Sequence, residues 1–225
     1  MQGPAASGYL LKKAGKTAKV KPVARVQPRR LSAPAPVARN NAVFLVGFMG
    51  AGKTSVGRAL GQRLNWVFED LDDRIVAHEG RTVAEIFRDS GETEFRRAEH
   101  EVLQELLNEL RGGVYKIVAL GGGTFVQPEN HKVIRESGIL TAFLNASLPE
   151  LWRRCVEQRN MDTQRPLQSS ENRFRELHKE RLRFYKTADK RFDTEGKSVE
   201  TIAAEIAERL GLRALAMRTE QGEAE

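Results

Sequence analysis

The chain has one cysteine, Cys155, in 225 residues, so no disulfide can close within it, and the disulfide-stapled secreted class is excluded. That cysteine lies in a charge-rich stretch of helical spacing with no histidine nearby, and it reads as structural rather than as a nucleophile. Long apolar runs are also missing. None approaches the roughly 20 residues that cross a bilayer, so no membrane association is expected. A third absence is local: residues 1–41 contain no acid, but nine of the 37 basic residues (Lys12, Lys13, Lys16, Lys19, Lys21, Arg25, Arg29, Arg30 and Arg39). The other 28 face all 30 acids, a net of −2, so the formal charge of +7 belongs to the N-terminal stretch. A nearly neutral remainder carries no electrostatic footprint for nucleic acid.

Residues 1–41 are rich in Ala, Pro, Lys and Arg and show no amphipathic period. Such a segment buries too little apolar surface to offset its chain entropy, and it reads as a disordered basic tail. Two other readings stay open: contact with a polyanion, or an organelle transit peptide. A cytoplasmic location is expected, and a plastid under the transit reading alone. From residue 42 the pattern alternates. Short apolar runs at 42–46, 115–120 and 140–144 read as strands, and so do the shorter segments 67–70 and 191–193. Between them, 55–65, 72–79, 83–90, 92–110, 129–136, 148–158, 171–187 and 199–210 carry helical spacing. Alternation of this kind predicts an α/β fold with a central parallel sheet of about five strands covered by helices on both faces. The ordered domain is placed at 42–212, with residues 159–170 a polar loop and 213–225 a frayed end.

Gly47-Phe48-Met49-Gly50-Ala51-Gly52-Lys53-Thr54 follows the first strand and opens the first helix, matching G-x-x-x-x-G-K-[ST]. Its glycines let backbone N–H groups approach phosphate oxygens, and the helix adds its N-terminal partial charge. Lys53 can reach the outer phosphates of a nucleotide, and the Thr54 hydroxyl can ligate Mg2+. By itself this cradle names only a nucleoside triphosphate.

A second partner must be read elsewhere. Asp70 and Asp72 close the second strand on the same rim as the cradle. A spacing of two along extended chain points both carboxylates one way. One can hold Mg2+ through water, and the other can accept a hydroxyl proton; Asp73 reads as a helix cap or as solvated. Phe95-Arg96-Arg97 lies among Glu94, Glu99 and Glu101, and Arg97 reads as helix-face ion pairing. Gly121-Gly122-Gly123 directly after an apolar strand suits close approach of backbone to a ligand. Arg165 stands in the polar loop, in the form expected of a lid over transferring phosphates.

Taken together, the sequence resembles the shikimate kinases, small P-loop kinases of the nucleoside-monophosphate-kinase group. The resemblance is carried by the cradle through Gly57, by Asp70-Leu71-Asp72, Gly91 to Arg96, Leu120 to Gly123, Arg165-Pro166-Leu167, and Arg181 with Tyr185, over about residues 43–210. It implies a three-layer α/β/α P-loop fold with a lid loop and a helical substrate-binding subregion. It implies ATP- and Mg2+-dependent phosphorylation of the 3-hydroxyl of shikimate by a monomer. Gly50, Ala51, Gly52, Lys53, Thr54 and Ser55 would then cradle ATP, and Thr54, with Asp70 through water, would hold the metal. Asp72 would bind the substrate hydroxyls and act as base. Arg96, Gly122 and Arg181 would bind shikimate, Arg165 would close on the phosphates, and Arg154 could stack on adenine. The alternatives are another small-molecule P-loop kinase, for gluconate or a nucleoside monophosphate, or a domain that senses an aromatic-pathway ligand without turnover.

Overall fold

A computed structural model describes residues 41–159 and 171–216. The basic stretch up to residue 40, the segment 160–170 with Arg165, and residues 217–225 lie outside the described residues. In chain order the elements are β1 (Ala42–Val46), α1 (Lys53–Leu64), β2 (Val67–Asp70), α2 (Leu71–Glu79), α3 (Val83–Arg111), β3 (Lys116–Ala119), a 3-10 turn (Thr124–Val126), α4 (Pro128–Ser137), β4 (Leu140–Asn145), α5 (Leu148–Arg159), α6 (Glu171–Tyr185), β5 (Lys190–Asp193) and α7 (Val199–Arg209).

The five strands form one parallel sheet in the order β2-β3-β1-β4-β5. β1 and β3 are buried along their whole lengths, which is why they read as unbroken apolar runs rather than alternating ones. Lys116 at the start of β3 is the exception. Its ammonium bonds Glu69 at 2.5 Å and Glu109 at 2.7 Å, and Arg74 joins the same two carboxylates, so the buried charge is paired. The chain passes from β1 through α1 to β2, and β3 then inserts between them. In this arrangement ligands bind at the carboxyl ends of the strands. The register sets Asp70 beside Ala119 and Ala119 beside Leu45, so the segments after β1, β2 and β3 share one rim.

The two helices expected at 83–90 and 92–110 are both present and meet end to end within α3 at a kink at Gly91, whose non-helical φ of 80° and ψ of 177° only glycine adopts readily. A capping box between Thr82 and Glu85 starts it. Residues 213–216, the described part of the end expected to fray, are not helical: the Trp66 indole donates to Arg213 O at 3.1 Å, and Leu215 N donates to Leu64 O at 2.9 Å. No helix among the described residues is long and apolar enough to cross a membrane.

Candidate active site

The cradle is moulded by its neighbours. Gly47, Gly50 and Gly52 have φ of 150°, 79° and 90°. A Cβ at Gly47 would stand 2.6 Å from Leu144 O, and one at Gly50 would stand 2.6 Å from Leu151 O and 2.9 Å from Cys155 Sγ. The buried cysteine is thus packing beneath the loop, as its surroundings in the sequence suggested. Gly52 caps α1 with no side-chain hydrogen bond, and a helix N-terminus of this kind suits an anion. Lys53 Nζ lies over the same loop, donating to Gly47 O at 3.0 Å and Phe48 O at 3.3 Å.

The acidic pair is arranged differently from the extended-chain expectation. Asp70 ends β2, but Asp72 already belongs to α2. The N-cap of α2 is Asp70, not Asp73: its Oδ1 accepts from Asp72 N at 3.1 Å, and Asp73 is exposed. Asp70 Oδ2 accepts from the Thr54 hydroxyl at 3.0 Å. One carboxylate therefore caps α2 and ties it to the first turn of α1. Helix formation directly after Asp70 turns Asp72 away from it, toward β3.

Three consecutive glycines receive what the cradle lacks. A Cβ at Gly121 would be 2.7 Å from Asp72 Oδ1, one at Gly122 would be 3.2 Å from Arg181 Nη1, and one at Gly123 would be 2.6 Å from Arg96 Nη1. Three side chains from other elements press on this turn, which leaves little room for a Cβ. Arg96 is fixed from behind: Nη1 donates to Glu99 at 2.8 Å and Nη2 to Glu92 at 3.2 Å. Glu99 is buried, with 1% of its side chain exposed, and it also accepts from the Thr124 hydroxyl at 2.6 Å. Arg97 faces solvent and pairs with Glu94 and Glu101, as read from its helix spacing. Arg181 reaches the turn from α6, together with Tyr185, whose hydroxyl donates to Gly122 O at 2.5 Å.

A glycine loop of P-loop pattern, one carboxylate and two guanidinium groups thus meet on one rim. A family model described as Shikimate kinase matches residues 49–211. The chain belongs to the shikimate kinase family. Shikimate kinase of Geobacter metallireducens is 42% identical over 179 residues, which is 78% of this chain and 93% of that protein. Shikimate kinase of Geobacter sulfurreducens is 41% identical over 172 residues, covering 73% of this chain and 88% of the relative. Among solved structures, shikimate kinase from Acinetobacter baumannii in complex with shikimate superposes with a TM-score of 0.68 at 30% identity, over 76% of this chain and 93% of that one.

Within this family member, two residues of the site were not singled out from the sequence. Glu99 was grouped with the surface acids, yet it falls on the apolar stripe of Phe95, Ala98, Val102 and Leu106, and a carboxylate at a buried helix position was the available signal. Thr194 is buried and has no local signature. Its hydroxyl and carbonyl accept from Arg154 at 3.0 Å each, and Arg154 also bonds Glu150 at 2.7 Å and Gly50 O at 3.4 Å. Arg154, which family likeness offered to adenine, here braces the cradle against the segment after β5.

Proposed function

We propose that this chain transfers the terminal phosphoryl group of ATP to the 3-hydroxyl of shikimate, with Mg2+, giving shikimate 3-phosphate for chorismate and aromatic amino-acid synthesis. The observation that carries the reading is the convergence of Asp72, Arg96 and Arg181 on Gly121, Gly122 and Gly123 beside the P-loop. Two guanidinium forks suit a planar carboxylate, and the carboxylate of Asp72 suits hydroxyls.

In this reading Gly50 through Ser55 hold the phosphates by backbone N–H groups, and Lys53 swings from its loop carbonyls to the transferring group. Thr54 and Asp70 present hard oxygen donors side by side, the donor chemistry Mg2+ takes. Bound there, the ion would neutralise charge on the phosphate oxygens. Asp72 orients the acceptor hydroxyl and takes its proton as that oxygen bonds to the terminal phosphorus. The bond from phosphorus to the bridging oxygen breaks, and ADP leaves. Arg165, outside the described residues, is assigned to closing over the phosphates and excluding water. A cytoplasmic monomer belongs to the same proposal; the bacterial relatives lend the plastid reading no support.

The test is ADP release from full-length protein with ATP and Mg2+, with and without shikimate. Release dependent on shikimate is expected. Turnover with gluconate or a nucleoside monophosphate in its place would overturn the substrate, and shikimate binding without turnover would favour the sensing domain.

A further inference from the structure

Tyr185 lies one turn beyond Arg181 at the end of α6 and is 1% exposed. Its ring stacks on Phe143 of β4 at 5.5 Å and 28°, and its hydroxyl donates to a backbone oxygen, that of Gly122 at 2.5 Å, while hydrogen-bonding the Arg181 guanidinium. Burial pushes the phenol up to about 12, against the pull of the nearby Arg181 guanidinium, so the hydroxyl keeps its proton and remains a donor.

The bonding of the triple-glycine carbonyls explains why such a donor matters. Gly121 O accepts from Thr124 N at 3.1 Å, and Gly123 O accepts from Val126 N at 3.0 Å, both bonds within the turn itself. The middle carbonyl, Gly122 O, is held by a side chain of another element. A peptide unit is planar and trans, so fixing the Gly122 carbonyl also fixes the direction of the Gly123 N–H on its far side. Glycine restrains that rotation least of all residues. Among the described residues no backbone carbonyl accepts from the N–H groups of Gly122 and Gly123.

We propose that Tyr185 is a positioning residue for the acceptor substrate: its hydroxyl locks the Gly122–Gly123 peptide, so that the amides of the turn and the guanidinium of Arg181, carried on the same helix, face the acceptor in one fixed register. This rests on shikimate being the acceptor. Tyr185 touches neither the cradle nor Lys53 in the bonds it makes, so its effect is confined to one substrate.

Tyr185→Phe tests it, because the ring and its stacking on Phe143 remain while the hydroxyl goes. Full-length protein is assayed with shikimate and ATP varied in turn, beside Leu177→Ala, which loosens α6 through lost packing without touching Gly122. The expected result for Tyr185→Phe is a KM for shikimate raised about threefold to tenfold, the worth of one hydrogen bond, with kcat and the KM for ATP unchanged. Leu177→Ala is expected to lower the unfolding midpoint more, yet leave the KM for shikimate in place. An unchanged KM for shikimate in Tyr185→Phe, equal rises in both KM values, or the same rise in Leu177→Ala would each overturn the positioning role. If the unaltered chain fails to turn over shikimate, the function itself falls and this role with it.

Discussion

The P-loop and the triple-glycine turn lie side by side on one rim, but they require glycine for opposite reasons. In the P-loop the backbone itself is unusual. Gly50 and Gly52 sit at φ of 79° and 90°, where side-chain-bearing residues are strained, and the atom facing Gly50 is a backbone oxygen that cannot move aside. In the turn, none of Gly121, Gly122 and Gly123 has positive φ, and Gly123 sits at −96°. What a side chain would meet there is Asp72, Arg181 or Arg96. One region is specified by conformation and is written in eight contiguous residues. The other is specified by space, and its components come from α2, α3, β3 and α6. A nucleotide site can therefore be carried by a local motif, whereas an acceptor site is a product of packing.

This contrast can be broken by mutation, and the largest effect is expected where chemistry is touched. Asp72→Asn should lower turnover by roughly 10²- to 10⁴-fold, the range for a lost general base, while calorimetry finds ATP binding unchanged. Retained turnover would remove Asp72 from the reaction. Next come the paired alanines. Gly50→Ala should cost about 1–3 kcal/mol in denaturant unfolding and weaken ATP binding, because both φ and a backbone oxygen oppose it. Gly123→Ala should leave ATP binding nearly intact and raise the KM for shikimate about tenfold, because the Arg96 guanidinium at 2.6 Å must shift from its post, with a loss of stability from the weakened bond to Glu99. Equal losses of ATP affinity in the two variants would erase the distinction.

Smaller effects sharpen it. Glu99→Gln removes a buried charge that holds both Arg96 and Thr124. An unfolding free energy lower by about 1.5–3 kcal/mol is expected, with a raised KM for shikimate and an unchanged KM for ATP. A loss of stability with no change in either KM would make Glu99 a core residue only. Arg97→Ala, one residue from Arg96 but turned to solvent with Glu94 and Glu101, should change neither the unfolding midpoint nor any KM; a raised KM for shikimate would show that the helix face had been misread.

The legible part of the fold was the part with a local cause. β1 and β2 fall at the residues read as strands, and the helices differ by a residue or two at their ends. The break at Gly91 was legible as two helices because it has a local cause, a glycine with non-helical φ and ψ. Reading Asp70 and Asp72 as parallel on extended chain failed because the capping bond from Asp72 N to Asp70 starts α2 one residue after the strand. Glu99 was hidden for a different reason. A carboxylate amid Glu94 and Glu101 looks like surface charge until the burial of its helix face is known.

By itself the sequence determined the nucleotide side: a strand, a glycine loop, Lys53 and Thr54 in unbroken order, because a phosphate cradle is made of consecutive backbone amides and needs no distant partner. It also assigned the chain's excess positive charge to residues 1–41, away from the enzyme domain. Only the tertiary structure decided that Asp72, Arg96, Arg181 and Tyr185, spread over more than a hundred residues, close on Gly121, Gly122 and Gly123. The insertion of β3 between β1 and β2 makes that meeting possible, and strand order is set by long-range pairing that no local spacing encodes.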